Sequence, residues 1–150
     1  MGRRAAREFS LKVLYAVESS GCPLEEAFDS LSREDRLSKD QLDFSLKLCR
    51  EVLAGKDHFD GLIARRLRNW ELGRIARIDR IILRMALAEF LSFSEIPPKV
   101  SIDEAIELAR KYSSTDSPAF VNGILDAIAK EDLRIIPDRK EQKEKECDTG

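Results

Sequence analysis

Apolar residues recur along the chain at intervals of three and four, and no segment alternates apolar with polar residues between turn residues. The pattern therefore predicts helices throughout and no strands. Seven helices are expected, one of them short. The first spans about Arg3 to Ser19, with Ala6, Phe9, Val13, Ala16 and Val17 on one face and Gly21 as its stop. The second starts at Pro23, a residue suited to a first helical turn. The third opens on the capping box Ser38-Lys39-Asp40-Gln41 and runs through Leu42, Leu46, Cys49 and Leu53 to Gly55. The fourth, about Asp57 to Arg68, turns Phe59, Leu62, Ile63 and Leu67 inward.

The hinge-like stretch Asn69-Trp70-Glu71-Leu72-Gly73 divides the pattern into two halves. Beyond it a fifth helix, about Arg74 to Leu91, places Ile75, Ile78, Ile82 and Met85 on one stripe and Arg77, Arg80 and Arg84 on the opposite side. Pro97-Pro98 break the chain, and a second capping box, Ser101-Ile102-Asp103-Glu104, is expected to start a helix ending near Tyr112. After the polar loop Ser113-Ser114-Thr115-Asp116, Ser117 caps and Pro118 opens the last helix, with Val121, Ile124, Leu125 and Ile128 as its core face. The expected architecture is all-α, two small helical bundles packed side by side. Residues 1–133 form one domain, with sub-bundles at about 1–68 and 74–133, and the charged stretch 134–150 forms a disordered tail.

A chain of 150 residues with 43% hydrophobic content can bury a core without staples. Its cysteines, Cys22, Cys49 and Cys147, are odd in number and form no C-x-x-C pair, which fits a reducing compartment and neither a disulfide framework nor a zinc site. The start is charged, with no apolar run behind it, and Arg84 interrupts the longest apolar run, so a cytoplasmic location away from membranes is expected. A net charge of −2 argues against a generic nucleic-acid binder, but the charge is uneven. Arg3, Arg4, Arg7 and Lys12 face only Glu8 in the opening segment, and seven arginines crowd residues 65–84.

Catalytic chemistry is not legible. His58 is the only histidine and has no ligand-type neighbour; glycine-rich phosphate loops, nucleophile elbows and H-E-x-x-H are absent, so no catalytic residue, metal or cofactor is expected. Glu89 is the one carboxylate on an apolar stripe, and a buried acid calls for an arginine partner. On the first helix Arg3, Arg4 and Arg7 share about a third of the circumference, with Tyr15 on the same side. Cations for phosphates and a flat ring for an unstacked base suit single-stranded RNA; a core-edge tyrosine is the alternative. On the last helix Asn122 and Asp126 flank Gly123 away from the core. That arrangement suits reading a base edge or, alternatively, close helix packing at the glycine.

Four segments together resemble the NusB transcription antitermination family. They are the arginine-rich opening through Leu14-Tyr15, Trp70 with Ile78-Asp79-Arg80-Ile81-Ile82-Leu83-Arg84, Ile96-Pro97 with Ile102 to Ala109, and Phe120 to Asp126. The resemblance implies two three-helix sub-bundles. It also implies a protein that pairs with NusE, a small-subunit ribosomal protein, and binds the single-stranded boxA element of ribosomal RNA operons to keep RNA polymerase elongating. Carried over by position, Arg3, Arg4 and Arg7 resemble the family's RNA-binding opening, and Asp116, Phe120 and Asn122 its second RNA-proximal region. Asp79 and Arg80 stand where the family meets NusE. Two other functions compete: the helical RNA-binding module that accompanies some ribosomal-RNA methyltransferases, and a helical adaptor that binds no nucleic acid.

Overall fold

The computed structural model describes residues 2–67 and 72–137. Helix α1 (Arg3–Ser20) is released at Gly21, whose φ of 74° is left-handed, and whose N–H returns to the Val17 carbonyl. Helix α2 (Leu24–Ser32) follows Pro23. Helix α3 (Lys39–Ala54) begins on the expected capping box: Gln41 N–H donates to Ser38 Oγ, and Ser38 N–H donates to Gln41 Oε1. Helix α4 (Lys56–Ala64) stops short of the expected end at Arg68, which lies outside the described residues with Asn69, Trp70 and Glu71. A 3-10 turn, Leu72–Arg74, leads to α5 (Arg77–Ser92), which begins one turn later than expected. Then come α6 (Pro98–Tyr112), α7 (Ser117–Ala127) and a π-helical turn, Ile128–Asp132. No strand occurs among the described residues.

Helices α1, α2 and α3 pack on one another, as do α5, α6 and α7, and the two groups meet where α5 lies against α1, α3 and α4. One buried cluster runs through both groups, from Phe9, Val13 and Leu48 to Ile82, Leu87, Val121 and Leu125.

That position makes α5 the central helix and overturns its expected polar side. Every residue from Ile81 to Glu89 is buried, Arg84 included, because neighbours cover the helix all round. Arg84 is accommodated by Asp60 of α4, its Nε and Nη2 donating to the carboxylate at 2.6 and 2.9 Å. The second expected capping box is also corrected. Helix α6 starts one turn earlier, at Pro98, whose missing N–H costs nothing in a first turn, and Ser101 is an interior position turned to the core. In α3 the buried face is Phe44, Ser45, Leu48, Cys49 and Val52, so Leu53 is exposed. At the C-terminal end, contacts with the core continue past Leu133. Ile136 packs on the core and Ile135 N–H donates to the Ala129 carbonyl; residues 138–150 of the expected tail lie outside the described residues.

Candidate nucleic-acid interface

The three arginines of α1 divide. Arg7 is 4% exposed and points inward: its Nε and Nη2 donate to the two oxygens of Glu89 at 2.9 and 2.7 Å, and Ser101 Oγ donates to the same carboxylate at 2.9 Å. A single buried anion thus joins α1, α5 and α6. The expectation that Glu89 needs an arginine is met, and by an arginine that charge alone had placed on the RNA side. Arg7 as an RNA contact is therefore corrected, since a guanidinium closed off from solvent and already forked onto a carboxylate reaches no phosphate.

Arg3 and Arg4 do face outward. Arg3 lies over the Phe44 ring, 4.8 Å from its centroid, with Glu95 at 3.8 Å. Arg4 forks onto Glu104 of α6, at 3.1 and 3.0 Å. The two paired oxygens hold its guanidinium charged, and the guanidinium in turn draws the Glu104 carboxyl below its ordinary 4.5. One turn along, Glu8 accepts from Lys111 at 2.7 Å, so the α1–α6 seam is crossed by long charged side chains. Sequence reading missed Glu104 and Lys111. Had α6 been phased from Pro98, Glu104 would have appeared as a mid-helix acid with no capping duty.

On α7, Asn122 and Gly123 are exposed, and a Cβ added at Gly123 would meet nothing within 4 Å, so helix packing at this glycine is ruled out. Asn122 lines an open groove with Lys99, Ile102 and Asp103 of α6, next to Glu104 in sequence. Helix α6 thus stands between the outward arginines and Asn122. Asp116 is exposed and directly precedes α7, while Phe120 is half-buried against the core.

Tyr15 is exposed but belongs to different surroundings. It lines a groove with Leu11, Lys12, Leu31, Ile78 and Tyr112 whose surface is almost wholly apolar, and the Arg77 guanidinium carbon lies 5.9 Å from its ring centroid. Asp79, beside this groove in sequence, is 6% exposed and presents no charge to a partner. Its two oxygens accept from Ser113 Oγ at 2.6 Å and Ser117 Oγ at 2.8 Å. Asp79 as a direct contact is therefore corrected: it anchors the α6–α7 loop. Ser117 is corrected with it, being the first residue of α7 with its hydroxyl committed to Asp79 and not to a cap. Arg80 is half-buried, its Nη2 donating to Glu18 Oε1 at 3.2 Å. His58 is exposed. Among the described residues no three His, Cys, Asp or Glu side chains gather to hold a metal ion, and no helix is long and apolar enough to cross a membrane.

The arrangement is one of surfaces: a charged seam at the start of α1 and along α6, and an apolar groove around Tyr15. Residues 4–130 match the model of the NusB family. The chain is 48% identical over 130 residues to the transcription antitermination protein NusB of Salinibacter ruber, covering 84% of this chain and 79% of that protein. It is 36% identical over 133 residues to that of Ruminiclostridium cellulolyticum, covering 89% and 92%. Among solved structures it resembles T. maritima NusB, with a TM-score of 0.78 at 36% identity over 87% of this chain and 92% of that one. It also resembles a chain in a crystal structure of antitermination factors NusB and NusE in complex with dsRNA, with a TM-score of 0.77 at 26% identity over 85% and 96%.

Proposed function

The chain belongs to the NusB family of transcription antitermination proteins. From that premise we propose that it works in the cytoplasm by binding alone, without catalysis, and holds RNA and NusE on two separate surfaces. The RNA is the single-stranded boxA-type element of ribosomal RNA operon transcripts, and the complex keeps RNA polymerase elongating. Support for RNA and NusE as ligands comes from the relative solved with NusE and dsRNA. The observation that carries the assignment of surfaces is their opposite chemistry. Arg3 and Arg4 stand outward at the α1–α6 seam, where phosphates find cations, and Asn122 offers an amide to a base edge across α6. The Tyr15 groove offers apolar area and almost no polar atoms, which suits a protein and not a phosphate chain. On this reading Tyr15 serves the partner and not the RNA, with the Arg77 guanidinium beside its ring.

One observation favours an adaptor that binds no RNA: both outward arginines already have carboxylate partners. Titration of a labelled boxA strand against a scrambled strand, with and without NusE, decides between the two. The proposal expects tighter binding of boxA and a further gain with NusE. Equal, weak binding of both strands in the presence of NusE would leave the adaptor.

A further inference from the structure

Arg4 and Glu104 are unequally placed. The Arg4 side chain is 64% exposed and that of Glu104 18%, so the carboxylate is the rooted member, fixed on α6, while the guanidinium reaches across to it from α1. The contact uses both Glu104 oxygens, and that parallel two-bond fork is the geometry in which arginine also takes a phosphate. The same inequality recurs at the next turn, where Lys111 is 59% exposed and its acceptor Glu8 23%. Arg4 and Lys111 are therefore occupied by half-buried acids of the same fold, whereas Glu95 beside Arg3 is exposed. An ion pair so open to water is weak and easily exchanged.

We propose that Glu104 competes with RNA phosphate for Arg4 and thereby sets the affinity of the unpartnered protein for single-stranded RNA. This rests on the assignment of the α1–α6 seam as the RNA surface and adds to it a residue that works against binding. A phosphate reaching Arg4 takes over the fork, and the displaced Glu104 carboxylate stays nearby as an uncompensated like charge. Each RNA molecule must bear that cost. Neutralising Glu104 frees Arg4 and removes the repulsion together. The contrary role, in which Glu104 holds Arg4 in a pose that favours RNA, requires the opposite response to the same substitution.

The test is fluorescence anisotropy of the full chain alone with a labelled boxA-type strand and a scrambled strand, across a range of salt. Four proteins are compared: the parent, Glu104→Gln, Arg4→Ala and the double variant. Glu104→Gln is expected to tighten both strands by roughly 3- to 10-fold, the scale of one surface charge at close range. It should also steepen the salt dependence, because Glu104 no longer offsets the Arg4 charge that meets the phosphate. Arg4→Ala is expected to weaken both strands, and the double variant to show a clearly smaller gain over Arg4→Ala than Glu104→Gln shows over the parent. If Arg4→Ala weakens binding while Glu104→Gln weakens it or leaves it alone, competition is wrong and the seam survives as the RNA surface. A gain as large in the Arg4→Ala background as in the parent also overturns competition, since it would report only the general field of the carboxylate. If neither single variant changes binding, the assignment of the seam to RNA fails, and this inference with it.

Discussion

Replacing Glu89 by Gln removes one charge from the buried junction of α1, α5 and α6 and keeps its size. Arg7 and Glu89 are 4% and 2% exposed, so water does not replace what is lost. The two guanidinium donors at 2.9 and 2.7 Å would meet one neutral carbonyl and one amide that is itself a donor. Removing one partner of a buried pair costs about 3–5 kcal/mol, because the other charge stays uncompensated. A glutamine that still accepts one bond belongs at the low end, about 3 kcal/mol. For a chain of this length that corresponds to a fall of roughly 10 °C in Tm. Replacing both residues by apolar ones of similar size, Arg7→Met with Glu89→Leu, leaves no buried charge, and Ser101 Oγ can turn to the carbonyl one turn back. The double variant is therefore expected within about 1 kcal/mol of the parent. Urea unfolding followed by circular dichroism gives the stabilities of the parent, Glu89→Gln, the double variant and its two single variants, read as midpoints at unchanged slope. A Glu89→Gln loss under about 1 kcal/mol, or a double variant as unstable as the singles summed, would refute the reasoning.

Asp79→Ala is expected to cost about 2–3 kcal/mol, because the Ser113 and Ser117 hydroxyls lose a charged acceptor away from water. A melting temperature equal to the parent's would show that this anchor carries no weight. The Cys49 thiol, pushed up by burial to about 12, should resist iodoacetamide at pH 8 in the folded protein while half-buried Cys22 reacts, with peptide mapping as the readout. Because the folded thiol titrates above its ordinary 9.0, stability should fall as pH rises from 9.0 toward 12, and Cys49→Ala should flatten that decline in a pH series of melting curves.

What sequence reading could see followed the range of the physics. The Ser38 capping box closes within three residues, so its hydrogen bonds were legible before the fold existed. The spacing of apolar residues likewise gave the number of helices and most of the core. The arginines were misjudged for the complementary reason: their partners are remote in sequence. Arg77, Arg80 and Arg84 repeat at the spacing of a solvent face, yet Arg84 is buried against Asp60, a residue of another helix. Glu89 announced its need for a cation without indicating that the cation was Arg7, 82 residues away. Ser101 matches the capping pattern as well as Ser38 does, and only the proline three residues earlier, together with the acceptor on α5, decides otherwise. Of the expected RNA residues, Arg3, Arg4, Asp116 and Asn122 are placed outward, Tyr15 is exposed but lines the apolar groove, Phe120 is half-buried, and Arg7 is not available.

The central claim is that RNA and NusE occupy different surfaces. It is tested most directly by measuring both affinities for two variants, Arg3→Ala with Arg4→Ala, and Tyr15→Ala, each checked for an unchanged melting curve. The arginine variant should lose RNA affinity, with a salt slope flatter by about 1.4 from two lost phosphate contacts, and keep its affinity for NusE. Tyr15→Ala should lose NusE affinity by about 1–3 kcal/mol, as a central aromatic does, and keep binding to RNA alone. An arginine variant that binds RNA as tightly as the parent, or a Tyr15→Ala that weakens RNA binding while NusE binding stands, would contradict the account.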